Sequence, residues 1–413
     1  MLALLSARRF GPLFVTQFLG AFNDNLFKTA FIFLVAYHLR SADPAGAATM
    51  ATVATGVFIL PFLLFSGVAG EISDARDKAR IAGWVKVAEI GFMAIGAIAL
   101  ALESEALALV VIFLMGVHST VFGPVKYAIL PQHLAEQELL LGTGLVEGAT
   151  FVAILLGQIA GGLLPAGVAG PAAIAVAIAG WTASRFIPAA PPASLLPIDW
   201  NPVTASRRAL GEAFANRELR IATICISWFW ALGAVYTSQF VPLAKNDIGG
   251  TEGVATLFLA AFSIGVATGS AGVSRLLGGR ISSRLAPWAG LAMALAGLDL
   301  FFAERAFDGA VTSDVRAFLG DARGWRVLAD LLVLAIAGGI FSVPLYGILQ
   351  TATRPAGRAR AIAANNIVNS GFQVAAVLAI GAAIARGASI PAVLLGAGST
   401  VVLLIPLLRK LPR

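Results

Sequence analysis

Twelve apolar stretches, most of them 18 residues or longer, divide this chain of 413 residues. A run of that length crosses the roughly 30 Å hydrocarbon core of a bilayer as a helix. The stretches cover about 11–38, 48–70, 80–101, 105–128, 139–164, 168–188, 218–243, 252–274, 284–302, 325–350, 360–385 and 390–408. Backbone groups inside a bilayer must be satisfied within the spanning structure. The alternation of a membrane barrel is absent, so the spans are read as helices. Charged residues make up only 12% of the chain, against about 25% in a soluble globular protein. The expected fold class is therefore an all-α membrane protein with twelve transmembrane helices in two six-helix halves.

The basic residues give the orientation. With the N-terminus in the cytoplasm, twenty of the 29 Lys and Arg residues fall in inside loops and seven in outside loops, while Lys28 and Lys86 lie within spans. Four of the outside seven cluster around loop 303–324, beside Glu304, Asp308, Asp314 and Asp321. This bias places both termini inside. It accounts for the net charge of +7 without a nucleic-acid partner. The opening MLALLSARRF leads into too long an apolar run for a cleavable signal peptide. The longest inside loop, 189–217, begins AAPPASLLPIDWNP and then turns basic and amphipathic. It separates an N-terminal half, 1–188, from a C-terminal half, 218–413. Two six-helix halves joined this way are the plan of a secondary transporter with internal repeats. The linker's Arg207, Arg208 and Arg217 either lie on anionic headgroups or only follow the orientation bias.

Polar residues inside the spans mark a candidate pathway. The first span holds Asn23, Asp24, Asn25 and Lys28 near its midpoint. A carboxylate there costs at least about 3 kcal/mol on insertion scales, so Asp24 is expected to face a bundle interior or a wet cavity. Gln17, Asp24 and Lys28 share one helical face. Lys28 either meets the ligand or neutralises Asp24. Further on come Glu89, His118 and Glu147, with Lys126 and Tyr127 following Gly123-Pro124. The proline is expected to interrupt the helix and aim Lys126 inward, and His118 reads as a packed core residue. The second half offers Trp228, Trp230, Tyr236 and Gln239, then Tyr346 and Gln350, and then Asn365, Asn366, Asn369 and Gln373. Acids gather in the first half and amides in the second, which suits a zwitterionic or amphiphilic ligand.

Two patterns point to conformational change. Gly70, Asp74, Arg76 and Lys78 fall in GEISDARDKAR after the second span: a tight turn, an acid placed to cap the next helix, and cations held in the cytoplasm. Gly157 and Gly161 in the fifth span, and Gly265 and Gly269 in the eighth, permit close helix approach. That approach serves either rocking of the halves or packing within one of them.

Enzyme signatures are missing. The chain has no G-x-x-x-x-G-K-[ST] phosphate loop. Its three histidines and one cysteine form no metal pattern, and His38 with Asp43, which has the H-x4-D spacing of an acyltransferase, lacks the glycine-rich lead such an enzyme would show. No metal or other cofactor is expected. Cys225, alone in an apolar run, is a packing residue.

Several blocks in order resemble the lysophospholipid transporter family of the major facilitator superfamily. They are QFLGAFNDNLFK in the first span, VFGPVKYAILP in the fourth, GLVEGATFVAILLGQIAGG in the fifth, and VPLYGILQ with AIAANNIVNSGFQ in the tenth and eleventh. The seventh span has Tyr236, Thr237 and Gln239 where some members carry a basic residue. The resemblance implies the major facilitator fold, in which the fifth and eighth helices meet across the halves, so that their glycines let the halves rock. It implies a flippase moving lysophospholipids such as lyso-phosphatidylethanolamine from the outer to the inner leaflet of a bacterial inner membrane, among membrane lipids. Re-acylation inside would fall to a separate acyltransferase and acyl-carrier-protein ligase, since the chain ends at Arg413, five residues past the last span. In this reading Asp24 meets the ammonium and Lys126 or Lys28 the phosphate, while Glu147 pairs with Lys126 when the site is empty. A proton-coupled exporter of amphiphilic small molecules and a membrane scaffold for an acyltransferase are the competing readings.

Overall fold

A computed structural model describes residues 1–193, 197–307 and 314–412; Asp308 of the expected outside loop lies beyond them. Among the described residues twelve helices are long and apolar enough to cross a membrane. They are α1 (Gly11–Leu34, with a wider turn to Leu39), α2 (Pro44–Ala75), α3 (Lys78–Ala101), α4 (Glu105–His133), α5 (Glu136–Leu163) and α6 (Ala166–Ser184). Then come α7 (Arg217–Pro242), α8 (Glu252–Leu276), α9 (Ala286–Arg305), α10 (Ala322–Thr351), α11 (Arg358–Ala385) and α12 (Ile390–Ser399, with tighter turns to Leu408). Each expected span is matched by one helix. Several helices outrun their apolar runs because charged ends continue the helix beyond the hydrocarbon depth. Pro124 and Pro131 lie inside α4 without ending it. The interruption expected at Pro124 is therefore absent: a proline removes one ladder bond, and tertiary packing holds the helix across it.

Local side-chain caps start six of the twelve helices. Asp43 takes the Gly46 amide, Asp77 the Ala79 and Arg80 amides, Asn216 those of Glu218 and Leu219, and Asp321 that of Arg323. These caps satisfy donors that no earlier turn can reach.

In the first half α1 packs on α5 and α6, α2 on α4, and α3 on α4 and α6. In the second, α7 packs on α11, α8 on α10, and α9 on α10 and α12. Contact between the halves runs through α5 with α8 and α10, and through α11 with α2 and α4. We call the end that bears the α2–α3 turn the linker end, and the other the far end.

The linker contains a helix, Pro202–Ala215. Its Ala205, Ala209 and Ala213 face is buried on the protein, with Ala209 and Ala213 against Ala364 of α11. Arg208 pairs with Glu71 of α2 at 2.8 Å and Glu212 with Arg360 of α11 at 3.0 Å. The apolar face of this helix is thus spent on both halves rather than on lipid.

Candidate substrate cavity

At the linker end the halves are closed. Asp74, almost fully buried, accepts hydrogen bonds from the backbone amides of Ala359 at 3.0 Å and Arg360 at 3.3 Å, with the Arg360 guanidinium 3.4 Å away. The acid of the glycine–aspartate turn is a helix cap, as its type suggests, but of α11 in the other half. Asp77 takes the local cap on α3. Gly70 brings α2 against Arg360 and Ala363. Arg76 is exposed and takes no part in this contact.

The glycines divide differently from expectation. Gly157 and Gly161 face the backbone of α1 at Phe22 and Leu26, and Gly265 and Gly269 face α10 at Leu332 and Ile336. All four serve packing within one half. The α5–α8 crossing between halves is made by Gly144 against Ser270 and Gly148 against Ala267. The correction has a simple cause. Small-residue spacing allows close approach on one helix face, and it does not name the neighbour.

Toward the middle, aromatic rings span the halves. Tyr127 stacks on Tyr346 with centroids 4.8 Å apart, and Phe151 on Trp230 at 5.4 Å. Tyr127, Tyr346 and Trp230 border a cavity of about 250 Å³. From the first half it is lined by Gln17, Asp24, Asn25, His118, Lys126 and Tyr127, with Phe58, Ile59 and Phe62 of α2. The second half supplies Trp230, Tyr346, Asn366, Asn369 and Gln373. Beyond it, the far-end parts of α2 and α11 are exposed, as at Val53, Leu60, Val374 and Leu378.

Asp24 accepts from the Ser119 hydroxyl at 2.5 Å. Lys28 stands off the cavity wall, its ammonium 5.1 Å from the centre of the Phe58 ring; it is not the direct partner of Asp24. The Lys126 ammonium lies 4.9 Å from the Tyr127 ring centre. Glu147 is 1% exposed with neither carboxylate oxygen hydrogen-bonded, so the expected Lys126–Glu147 pair is not formed.

Other expected cavity residues point elsewhere. Asn23 is buried and donates to Glu89 at 2.8 Å. Tyr236 is sealed between α7 and α12, its hydroxyl on the Leu394 carbonyl at 3.3 Å. Gln239 bonds its neighbour Ser238 near the far end of α7. Asn365 lies fully buried off the wall, while Asn366, one residue on, lines it. A rotation of about 100° per residue separates such neighbours.

Behind Asp24 lies a buried charge network that sequence reasoning listed by residue and did not connect. Lys86 and Glu89, three apart on α3, pair at 2.5 Å with both side chains almost wholly buried. His118 Nε2 lies 3.0 Å from the same carboxylate, and its other ring nitrogen is 3.4 Å from Ser119, the partner of Asp24. Gly20 leaves room for the Lys86 ammonium. The i, i+3 spacing of two opposite charges inside one span was the available signal.

The sequence matches the model of the Major Facilitator Superfamily over residues 13–376. It is 28% identical over 366 residues to the lysophospholipid transporter LplT of Escherichia fergusonii, covering 86% of this chain and 83% of the relative. It is 27% identical over 398 residues to LplT of Escherichia coli O1:K1, covering 93% and 90%. Among solved structures, the fold is similar to the human organic anion transporter MFSD10, with a TM-score of 0.75 at 16% identity over 97% of this chain and 99% of the other. It is also similar to the transporter FucP, at 0.70 and 14% over 97% of each. A twelve-helix bundle with a polar cavity between its halves agrees with these matches: the chain is a transporter, not an enzyme, and belongs to the Major Facilitator Superfamily.

Proposed function

We propose that this transporter moves lysophospholipids, such as lyso-phosphatidylethanolamine, from the outer to the inner leaflet of a bacterial inner membrane, with both termini cytoplasmic. The observation that carries the reading is an acid and a base, Asp24 and Lys126, in one cavity whose wall otherwise mixes aromatic and apolar residues with amides and hydroxyls. A zwitterionic headgroup fits such a pair, its ammonium at Asp24 and its phosphate at Lys126. The cavity, at about 250 Å³, is smaller than the roughly 300–1,000 Å³ that encloses a drug-sized ligand. It therefore takes the headgroup and leaves the acyl chain along the exposed far-end parts of α2 and α11. The LplT relatives support the same substrate class.

Transport follows by alternating access. Headgroup binding bridges the halves, the far end closes, and the linker end opens where Asp74 releases α11. A separate acyltransferase and acyl-carrier-protein ligase re-acylates the product inside.

Uptake of fluorescent lyso-phosphatidylethanolamine into proteoliposomes tests this. Asp24→Ala and Lys126→Ala each remove a charged hydrogen-bonding partner worth about 1.5–3 kcal/mol, so each should lower uptake roughly 10- to 100-fold. If both variants transport like the wild type, the site assignment fails. Gradient-driven efflux of amphiphilic compounds without lysolipid uptake would make the chain an exporter instead.

A further inference from the structure

Away from the substrate cavity, a groove of about 450 Å³ lies where the linker ends of α3 and α6 meet. Neither helix supplies a residue to the cavity. The two run antiparallel and carry the same pair in mirrored order. Arg80 lies four residues before Trp84 on α3, and Trp181 four residues before Arg185 at the end of α6. Residues four apart share a helical face and differ by about 6 Å along the axis. The groove is therefore rimmed by two guanidiniums at the linker end and by two indole rings one turn deeper. Both arginines are exposed, and Trp84 is 74% exposed.

The local structure keeps the groove open. A Cβ at Gly83, on the α3 wall, would meet nothing within 4 Å. Ile187 and Ala189 form the linker-side wall. Their segment is tied down where the Lys78 amide donates to the Ala190 carbonyl and the Ala193 amide to the Asp74 carbonyl, each at 2.9 Å. The charge in the groove is uneven. Among the described residues neither guanidinium has a carboxylate partner; that of Arg185 lies 5.9 Å from the centre of the Trp181 ring. Asp77 also borders the groove, but one of its oxygens already takes the Ala79 and Arg80 amides. The Ser184 hydroxyl is turned back to the Trp181 carbonyl at 2.6 Å. Arginine's planar fork matches phosphate oxygens, tryptophan settles at headgroup level, and basic pockets between membrane helices suit anionic headgroups.

We propose that this groove binds an anionic phospholipid of the leaflet at the linker end, separate from the transported substrate. Arg80 and Arg185 hold its phosphodiester, Trp84 and Trp181 flank its glycerol region, and an acyl chain follows α3 past Gly83 and Val87. A zwitterionic lipid would bring an ammonium into a groove with two cations and one acid already engaged. The bound lipid joins α3 to α6 and to the first residues of the linker.

Native mass spectrometry of the full chain in detergent, titrated with phosphatidylglycerol, tests the site. The wild type should hold one phosphatidylglycerol more tightly than phosphatidylethanolamine or phosphatidylcholine. Arg80→Gln and Arg185→Gln, both at exposed positions, should each weaken that binding about fivefold, the effect of one cation near a membrane surface. Gly83→Phe should fill the groove and abolish the preference while the melting curve stays that of the wild type, because no neighbour stands in the way. Lys126→Ala, which alters the substrate cavity, should leave phosphatidylglycerol binding unchanged. Equal binding of the three lipids by the wild type overturns the proposal. So does undiminished binding in both arginine variants or in Gly83→Phe, or loss of binding in Lys126→Ala, which would place the lipid in the cavity. Lysolipid uptake is a separate readout: its absence defeats the substrate reading and leaves this site standing.

Discussion

The Asp74 carboxylate on α2 accepts the backbone amide of Ala359 at 3.0 Å, so an acid from one half caps the first turn of a helix in the other. Caps are usually local. Here the donors at the start of α11 are satisfied only while the linker end is shut. Opening that end must break the cap together with the Asp74–Arg360 pair.

Asp74→Ala should therefore shift the equilibrium toward the linker-open form. Losing a buried charged acceptor leaves amides unsatisfied at about 1–3 kcal/mol, enough to change a two-state ratio roughly 5- to 100-fold. Spin labels on α2 and α11 near this end should report a longer distance population in the variant. An unchanged distance distribution would assign the closure to other contacts.

The two sets of glycines should separate under substitution. Gly148→Val should hinder the α5–α8 approach and slow transport while leaving the first six helices stable. Gly161→Val, against the α1 backbone at Leu26, should lower thermal stability, since overpacking costs about 1–3 kcal/mol. Parallel melting curves and uptake rates distinguish the two. Equal melting losses with equal transport losses would argue against the division.

The Lys86–Glu89 pair calls for a double-mutant cycle. Lys86→Met alone strands a buried carboxylate, and Glu89→Gln alone strands a buried ammonium; either should cost about 3–5 kcal/mol. The double variant should recover part of that loss. The coupling energy from denaturation in detergent is the diagnostic quantity, and a value near zero would mean that the pair is not held as described.

The linker gives a pH-dependent prediction. The Thr204 hydroxyl and the Asn201 amide, with Arg208 beside them, hold the Asp199 carboxyl below its ordinary range. Its folded-state value is depressed, so its stabilising effect is present above the unfolded value of about 3.9 and is lost as pH falls through the folded one. A nitroxide at exposed Val203 should become more mobile below about pH 4. Asp199→Asn should abolish that transition.

Much of this architecture was written in the length of the apolar runs, because a bilayer fixes how long a spanning helix must be. The helix count and the position of the linker follow from that requirement. Rotation about each helix axis does not. Asn23 and Asp24 are adjacent, yet one binds Glu89 and the other lines the cavity. Tyr236 is as polar as Tyr346, yet it is sealed against α12. Which polar group meets the ligand depends on which helices become neighbours, and composition is silent on that. The glycine runs share this ambiguity. The cap from Asp74 was legible in kind but not in target, since the amides it serves lie 285 residues further along the chain.

The pairing of Lys86 with Glu89 also bears on how the protein is made. A lone ammonium or carboxylate in mid-span resists partition from the translocon into lipid by about 2.5–3.5 kcal/mol. Because the two charges lie one turn apart on α3, they can leave the translocon as a neutral unit. Asn23, the amide partner of Glu89, has by then already been synthesised in α1, whereas His118 arrives only with α4. Biogenesis can therefore place this charged centre in the bilayer before the helix that completes it exists.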